Sequence, residues 1–192
     1  MKNQNDVTLH VETPVEIFEY LLFISPSEKI KGEVMMMKEE FHQHYNHIQA
    51  IKSKPHVTLI NFGASVATEE ILILRINEVA KSCQPFDVVL NGVNHFKPHT
   101  VFVDIANPEF IVQLVKSLHD ALHLPPKYSF FSRRPHMTIA KGLDTIKFQK
   151  AILELADKKY TDSFLTDRII LMKRRNSFMR YELVKEFKLG QE

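Results

Sequence analysis

The sequence predicts an α+β fold built from two similar lobes related by a pseudo-two-fold axis, and three observations predict it. A short pattern occurs twice, as Pro55-His56-Val57-Thr58-Leu59 and as Pro135-His136-Met137-Thr138-Ile139. His56 and His136 lie 80 residues apart, close to the period at which the order of predicted elements repeats. In both halves short β-branched and aromatic runs alternate with longer runs of helical period, so the chain reads β-α-β-α-β and then β-α-β-α-β-β. With 44% hydrophobic and 25% charged residues, the 192-residue chain has apolar sequence for a full core without a disulfide or metal staple. No linker or low-complexity stretch separates the halves, so one bilobal domain over residues 1–192 is expected.

Residues 1–14 show no sustained period and are expected to form a loose N-terminal arm. Ile17 to Ile24 is apolar and aromatic and reads as a buried strand ended by Pro26. Ser25-Pro26-Ser27-Glu28 is helix-start chemistry for a helix to about Tyr45, with Ile30, Val34, Met37 and Phe41 on its inner stripe. The first motif strand follows and is expected to end at Asn61-Phe62-Gly63. Thr68-Glu69-Glu70 opens a helix to about Ser82 with apolar positions Ile71, Leu72, Leu74, Ile76 and Val79. Phe86 to Leu90 reads as a strand and Asn91-Gly92 as a turn.

In the second half, Val101, Val103 and Ile105 alternate with Phe102 and Asp104 along a strand of two faces. Asn107-Pro108-Glu109 starts a helix through about Leu122, bounded by Pro125-Pro126. The second motif strand runs through Ala140, and Asp144 caps a helix to about Lys159. Strands at about 168–173 and 178–187 close the chain.

The motifs carry the chemistry. Val, Ile and Thr suit a pleated strand, and proline suits its first position, where a missing N–H does no harm to the ladder. Side chains alternate along a strand, so His56 and Thr58 share one face while Val57 and Leu59 share the other; His136 and Thr138 do the same against Met137 and Ile139. A pseudo-two-fold axis brings the two polar faces opposite each other. One imidazole then activates water or a ribose hydroxyl while the other protonates the leaving oxygen of a phosphate, and Thr58 and Thr138 donate to its non-bridging oxygens. A cyclic phosphate suits such a site because its ring strain lessens the need for metal activation. Which histidine is acid and which is base stays open. A duplicated ordinary edge strand would also explain the repeat, but the shared flanking residues at matching positions favour a functional pair.

Composition narrows the alternatives. A net charge of +2 is too small for duplex binding by a broad basic surface, though a local phosphate site is compatible with it. The single Cys83 excludes an intrachain disulfide and fits a reducing compartment. The polar start of the chain and the lack of any apolar run near the roughly 20 residues of a membrane span lead to the expectation of a soluble, cytoplasmic monomer with no membrane partner.

The paired His-x-Thr-apolar motifs, one per repeat, resemble the two-histidine phosphoesterase superfamily, specifically its 2′-5′ RNA ligase and cyclic phosphodiesterase-like branch. The resemblance covers about residues 17–189 and includes the first strand, both motifs and the closing Arg180-Tyr181-Glu182-Leu183 and Phe187-Lys188-Leu189. It implies antiparallel sheets lining a central cleft, no metal and no cofactor. The implied substrate is a 2′,3′-cyclic phosphate end of a nucleotide or RNA, or an RNA end in 2′-5′ ligation. His56, Thr58, His136 and Thr138 match the catalytic positions. Where several RNA ligase members carry an arginine after the second motif, this chain has Lys141, which keeps the charge without the bidentate fork.

Arg134, just before the second motif, and Arg180, in the basic last hairpin with Lys173, Arg174 and Arg175, are further candidates for substrate binding; a solvated loop and a charged sheet face are the plainer explanations. Strand parity is expected to put Met179, Tyr181, Leu183 and Phe187 on one apolar face and Arg180 on the other. Phe102 could stack a base, although ordinary packing is the commoner fate. His42 and His44 diverge around a helix, and His119 and His123 lack the glutamate of a zinc protease motif, so no metal site is indicated. In Pro98-His99-Thr100 the spacer is missing, and no Walker-type loop appears. Two other classes compete with the enzyme: a non-catalytic nucleotide- or RNA-binding module using the same cleft, and, more weakly, a metal-dependent hydrolase built on the helical histidines.

Overall fold

The computed structural model describes residues 16–155 and 158–191; the N-terminal arm expected at 1–14 lies outside them. Nine strands and four helices follow one another as β1 (Ile17–Ile24), α1 (Glu28–Tyr45), β2 (Val57–Ser65), α2 (Glu69–Ser82), β3 (Phe86–Phe96), β4 (Thr100–Ile105), α3 (Glu109–Leu122), β5 (Ser129–Phe131), β6 (Met137–Lys141), α4 (Thr145–Leu155), β7 (Thr161–Thr166), β8 (Arg168–Arg174) and β9 (Glu182–Lys188). The Ser27 hydroxyl caps α1 by accepting from the Ile30 N–H, and Asp144 Oδ1 accepts from the Lys147 N–H at the start of α4.

All pairings are antiparallel, and the strands form one sheet in the order β7-β3-β4-β6-β2-β1-β8-β9, with β5 added to β2. The fold class agrees with the sequence, but the sheet halves are not the sequence halves. β3 pairs with β4 and β7 on the His136 side, while β8 and β9 return to β1 on the His56 side. Helices cross as well, since α1 follows β1 yet packs on β6 and α3 follows β4 yet packs on β2. One cluster of buried apolar side chains draws on both halves. The halves are thus interleaved, each completed by elements from the other end of the chain.

The halves join through a single pair, Val57↔Met137. Both residues are fully buried. Their burial explains why the seam forms there: each strand begins on an apolar residue facing the shared core, directly after the motif proline and histidine.

Several local expectations differ from the structure. Asn91-Gly92 does not end a strand. Gly92, at φ +74, lets β3 continue through an irregularity between Leu90 and Val93 to Phe96. β2 runs past Gly63 to Ser65. β5 and β7 are additional strands, β5 only three residues long and β7 polar at four of its six positions. Ile71 and Leu74 are exposed, and the buried stripe of α2 is Leu72, Ile76, Val79 and Ala80. β9 starts only at Glu182, and Met179 and Leu183 are exposed rather than on a buried face with Phe187. In α1, Lys38 rather than Met37 lies fully buried beside Ile30, Val34 and Phe41.

Candidate active site

The two motif strands are built alike down to a shared irregularity. Residues from proline onward run buried, half-buried, buried, half-buried, buried, buried in both copies. The last two fall together because each strand carries a bulge. On β2, Leu22 pairs with Ile60 and Phe23 with Thr58, leaving Leu59 over; on β6, Val101 pairs with Ala140 and Phe102 with Thr138, leaving Ile139 over. A bulge advances the side-chain phase by one residue. Asn61 and Lys141, five residues after their histidines, therefore join the histidine face, where plain alternation would put them on the core side.

Antiparallel pairing through Val57↔Met137 sets His56 alongside Thr138 and Thr58 alongside His136, all four on the face opposite the buried pair. The seam thus brings together the four residues singled out in the sequence. His56 Nδ1 lies 2.8 Å from the Lys54 carbonyl oxygen, and His136 Nδ1 lies 2.9 Å from that of Arg134. A carbonyl only accepts, so each Nδ1 carries a proton and donates, and in the neutral ring each Nε2 keeps the free lone pair. The same contact two residues back in both copies makes the imidazoles equivalent in tautomer.

Burial pushes both imidazoles below the ordinary histidine value. At His56 the charges of Lys38, Lys141 and His136 act the same way, against the hydrogen bond to Lys54. At His136 the charges of Arg134 and Lys141 also lower it, while its backbone bond and Asp104 oppose them. The charge of Lys141 thus bears on both imidazoles.

Aromatic rings fix the imidazoles sideways. Phe23 meets His56 edge-on at 5.4 Å, and Phe96 and Phe102 each lie 4.9 Å from His136. Phe102 is fully buried and braces His136, which rules it out as a platform for a base. Arg134 spreads over the rings of Phe96 and Phe102 at 4.9 and 5.5 Å and reaches Asp104 at 3.5 Å, with Asn94 donating to the same carboxylate oxygen. Arg180 is exposed in the loop between β8 and β9. Its neighbour Tyr181 lies beside Asn61 and stacks on Arg174, which pairs with Glu19 of β1. This loop therefore folds back toward the first motif strand.

Sequence reasoning missed Lys38. Its ammonium donates to the carbonyl oxygens of Thr138 and Ile139 at 3.1 and 3.3 Å. Burial, then the Lys141 charge, pushes it down to about 8. A drop of that size is roughly 3 kcal/mol of bias against the charged form. His47 Nε2 donates to the Lys141 carbonyl at 3.0 Å. The signal for Lys38 was present in sequence, as a lysine eight residues from Ile30 on the apolar stripe of α1.

His44 pairs with Glu154 and His119 with Asp120, and no three histidine, cysteine or acidic residues converge among the described residues. His99 is exposed while Thr100 is buried, as the missing spacer implied. A groove of about 480 Å³ between α1 and α4, lined in part by Met37, Phe41, Tyr45, Ile139 and Leu155, holds neither motif histidine.

Three comparisons relate the chain to known proteins. The sequence model of the 2′-5′ RNA ligase superfamily matches residues 26–177. OB1230 of Oceanobacillus iheyensis, a protein named as a phosphoesterase, is 25% identical over 160 residues, covering 80% of this chain and 88% of that protein. The crystal structure of E. coli LigT complexed with 3′-AMP superposes with a TM-score of 0.63 at 17% identity, covering 92% of this chain and 100% of that one. Usb1 of Kluyveromyces marxianus gives 0.53 at 13% identity, over 91% and 98% of the two chains.

Proposed function

The chain belongs to the 2′-5′ RNA ligase superfamily of two-histidine phosphoesterases, and on that premise we propose that it opens 2′,3′-cyclic phosphates at the ends of nucleotides or RNA. The observation that carries this reading is the pair of imidazoles with matched tautomers, each alongside the other motif's threonine across one seam. With a cyclic phosphate between them, one Nε2 takes a proton from the attacking water as the new P–O bond forms. The other Nε2 gives a proton to the ribose oxygen as the opposite ester bond breaks, leaving a phosphomonoester and a free ribose hydroxyl. Replacing water by the hydroxyl of a second RNA end turns the same steps into 2′-5′ ligation.

Thr58 and Thr138 donate to the non-bridging oxygens, and Lys141 supplies positive charge there. These groups cover the proton transfers and charge stabilisation without a metal ion. Arg134, held by Asp104 and two rings, contacts the substrate beyond the phosphate, and Arg180 extends that contact from the far side of the first half. The 3′-AMP held by LigT, a protein of this fold, supports a nucleotide ligand.

The test is turnover of a 2′,3′-cyclic mononucleotide and of cyclic-phosphate-ended RNA by protein treated with EDTA. Turnover in the wild type and its loss in His56→Ala and in His136→Ala are expected. Activity that survives both substitutions overturns the mechanism, and activity that needs added zinc overturns its metal independence.

A further inference from the structure

Lys38 occupies a place where an amphipathic helix puts an apolar residue. It is 1% exposed, the only lysine or acid fully buried among the described residues, and no carboxylate among them pairs with it. Its two hydrogen bonds go to the carbonyls of Thr138 and of the bulged Ile139. A buried cation without a counter-charge is costly, and a structural cap for two carbonyls could be made from a neutral donor. The groups around it make the imbalance larger. Lys141 on the same strand and His56 at the mouth of β2 both interact with its charge, His136 is coupled to His56, and His47 bonds the Lys141 carbonyl. Every one of these is basic; the one acid that bears on the pair, Asp104, acts on His136 and is itself held by Arg134 and Asn94.

The missing partner is therefore an anion that arrives with the substrate. We propose that Lys38 is a positioning residue whose counter-ion is the substrate phosphate, so that an anion between the two histidines secures Lys38 on the bulge of β6 and thereby fixes Thr138 and His136. This rests on the phosphate-binding reading of the site. Lys38 acts from the core side of β6, through the backbone of the strand, and does not touch the substrate. The first motif has no equivalent, because there the bulge carbonyl of Leu59 accepts the backbone N–H of Ser132 at 2.9 Å.

The experiment follows Lys38 and both imidazoles by side-chain NMR in the full-length protein, titrated with pH in the presence and absence of inorganic phosphate. Phosphate is expected to raise the Lys38 midpoint from about 8 together with those of His56 and His136. Imidazoles that respond while Lys38 does not would make Lys38 an edge cap only and overturn the proposal. If none of the three responds, the phosphate reading itself fails and takes the proposal with it. Kinetics give a second arm. Lys38→Met is expected to lower kcat on a 2′,3′-cyclic mononucleotide on the order of tenfold or more with a smaller change in KM, and Lys38→Arg to recover part of it. Unchanged kcat in a folded Lys38→Met protein overturns the proposal, and the titration decides the matter if that variant does not fold.

Discussion

The two motif strands match in histidine tautomer, threonine placement and bulge, and differ in what holds their open edges. On β2 the edge is closed by main chain: β5 pairs with it, and Ser132 donates to the carbonyl of Leu59. On β6 the equivalent carbonyl, that of Ile139, is held by the ammonium of Lys38, and the carbonyl of Lys141 by His47. A backbone ladder does not titrate, whereas the Lys38 ammonium does. The first half therefore presents a fixed histidine, and the second presents one whose support responds to charge. A two-fold reaction needs equivalence only at the reacting atoms, and the scaffold behind them is free to differ.

The largest effects should test the equivalence itself. His56→Ala and His136→Ala are each expected to lower kcat/KM by about 10²–10⁴-fold, and the double variant by little more than either alone, because proton donor and acceptor act as a unit. A loss of less than tenfold in only one of them, measured on a 2′,3′-cyclic mononucleotide, breaks the symmetry claim at its centre.

The residues that the bulges turn onto the site face come next. Lys141→Met should cost on the order of tenfold in kcat/KM, mostly through KM, because a cation directed at a phosphate is lost. Asn61→Ala, its counterpart in the first half, should cost only about twofold on the same physical ground. Equal losses would mean that the two bulges serve the substrate alike.

The pH dependence of stability sharpens the comparison without a substrate. Both imidazoles titrate below their ordinary value of 6.5 in the folded protein, mainly through burial. Between those lowered midpoints and 6.5 the unfolded chain binds more protons, so stability rises with pH across that window and is lost as pH falls through it. The melting temperature should drop from pH 7 to pH 5, less steeply in His56→Ala and His136→Ala, and inorganic phosphate should oppose the drop. A melting temperature flat over that range contradicts the lowered midpoints.

Edge support gives the smallest changes. His47→Ala removes a nearly buried donor from the Lys141 carbonyl and should cost about 1–2 kcal/mol in denaturant unfolding. Ser132→Pro removes the backbone donor to Leu59 and should cost a similar amount or slightly more, since the ring also constrains the end of β5. A His47→Ala variant as stable as the wild type would show that water supports the β6 edge as well as the side chain does.

Much of this was legible in the chain because it is local. The eight residues of β1, the Ser27 cap and both motif words follow from composition and alternation over a few positions. The parts that were not legible depend on long-range pairing. β3 joins the second sheet half and β8 the first because the seam leaves their neighbours' edges open, and nothing within a ten-residue window encodes that. β5 is three residues long and stable only as an addition to β2. Gly92 reads as a turn from its own chemistry, and the pairing of Val93 to Phe96 with β4 keeps the strand going beyond it. In the site, His56, Thr58, His136 and Thr138 stand out by repetition, whereas Lys38 belongs to a helix whose partner strand is 100 residues away.

The paired bulges have one more consequence. In each motif the positions that look out at the solvent are the first, third and sixth counted from histidine, not the first, third and fifth, so the working unit is a six-letter word with a skipped beat. Deleting Leu59 or Ile139 would restore an even rhythm with Asn61 or Lys141 still outward, one place nearer the threonine; ironing out the bulge with that residue kept would turn them inward, and His-x-Thr is untouched in both cases. A pattern defined by the histidine and threonine alone finds the proposed acid and base. With six residues in the word, the bulge determines whether the last of them stands beside the pair, and a transplant of this site onto another sheet would have to carry that irregularity too.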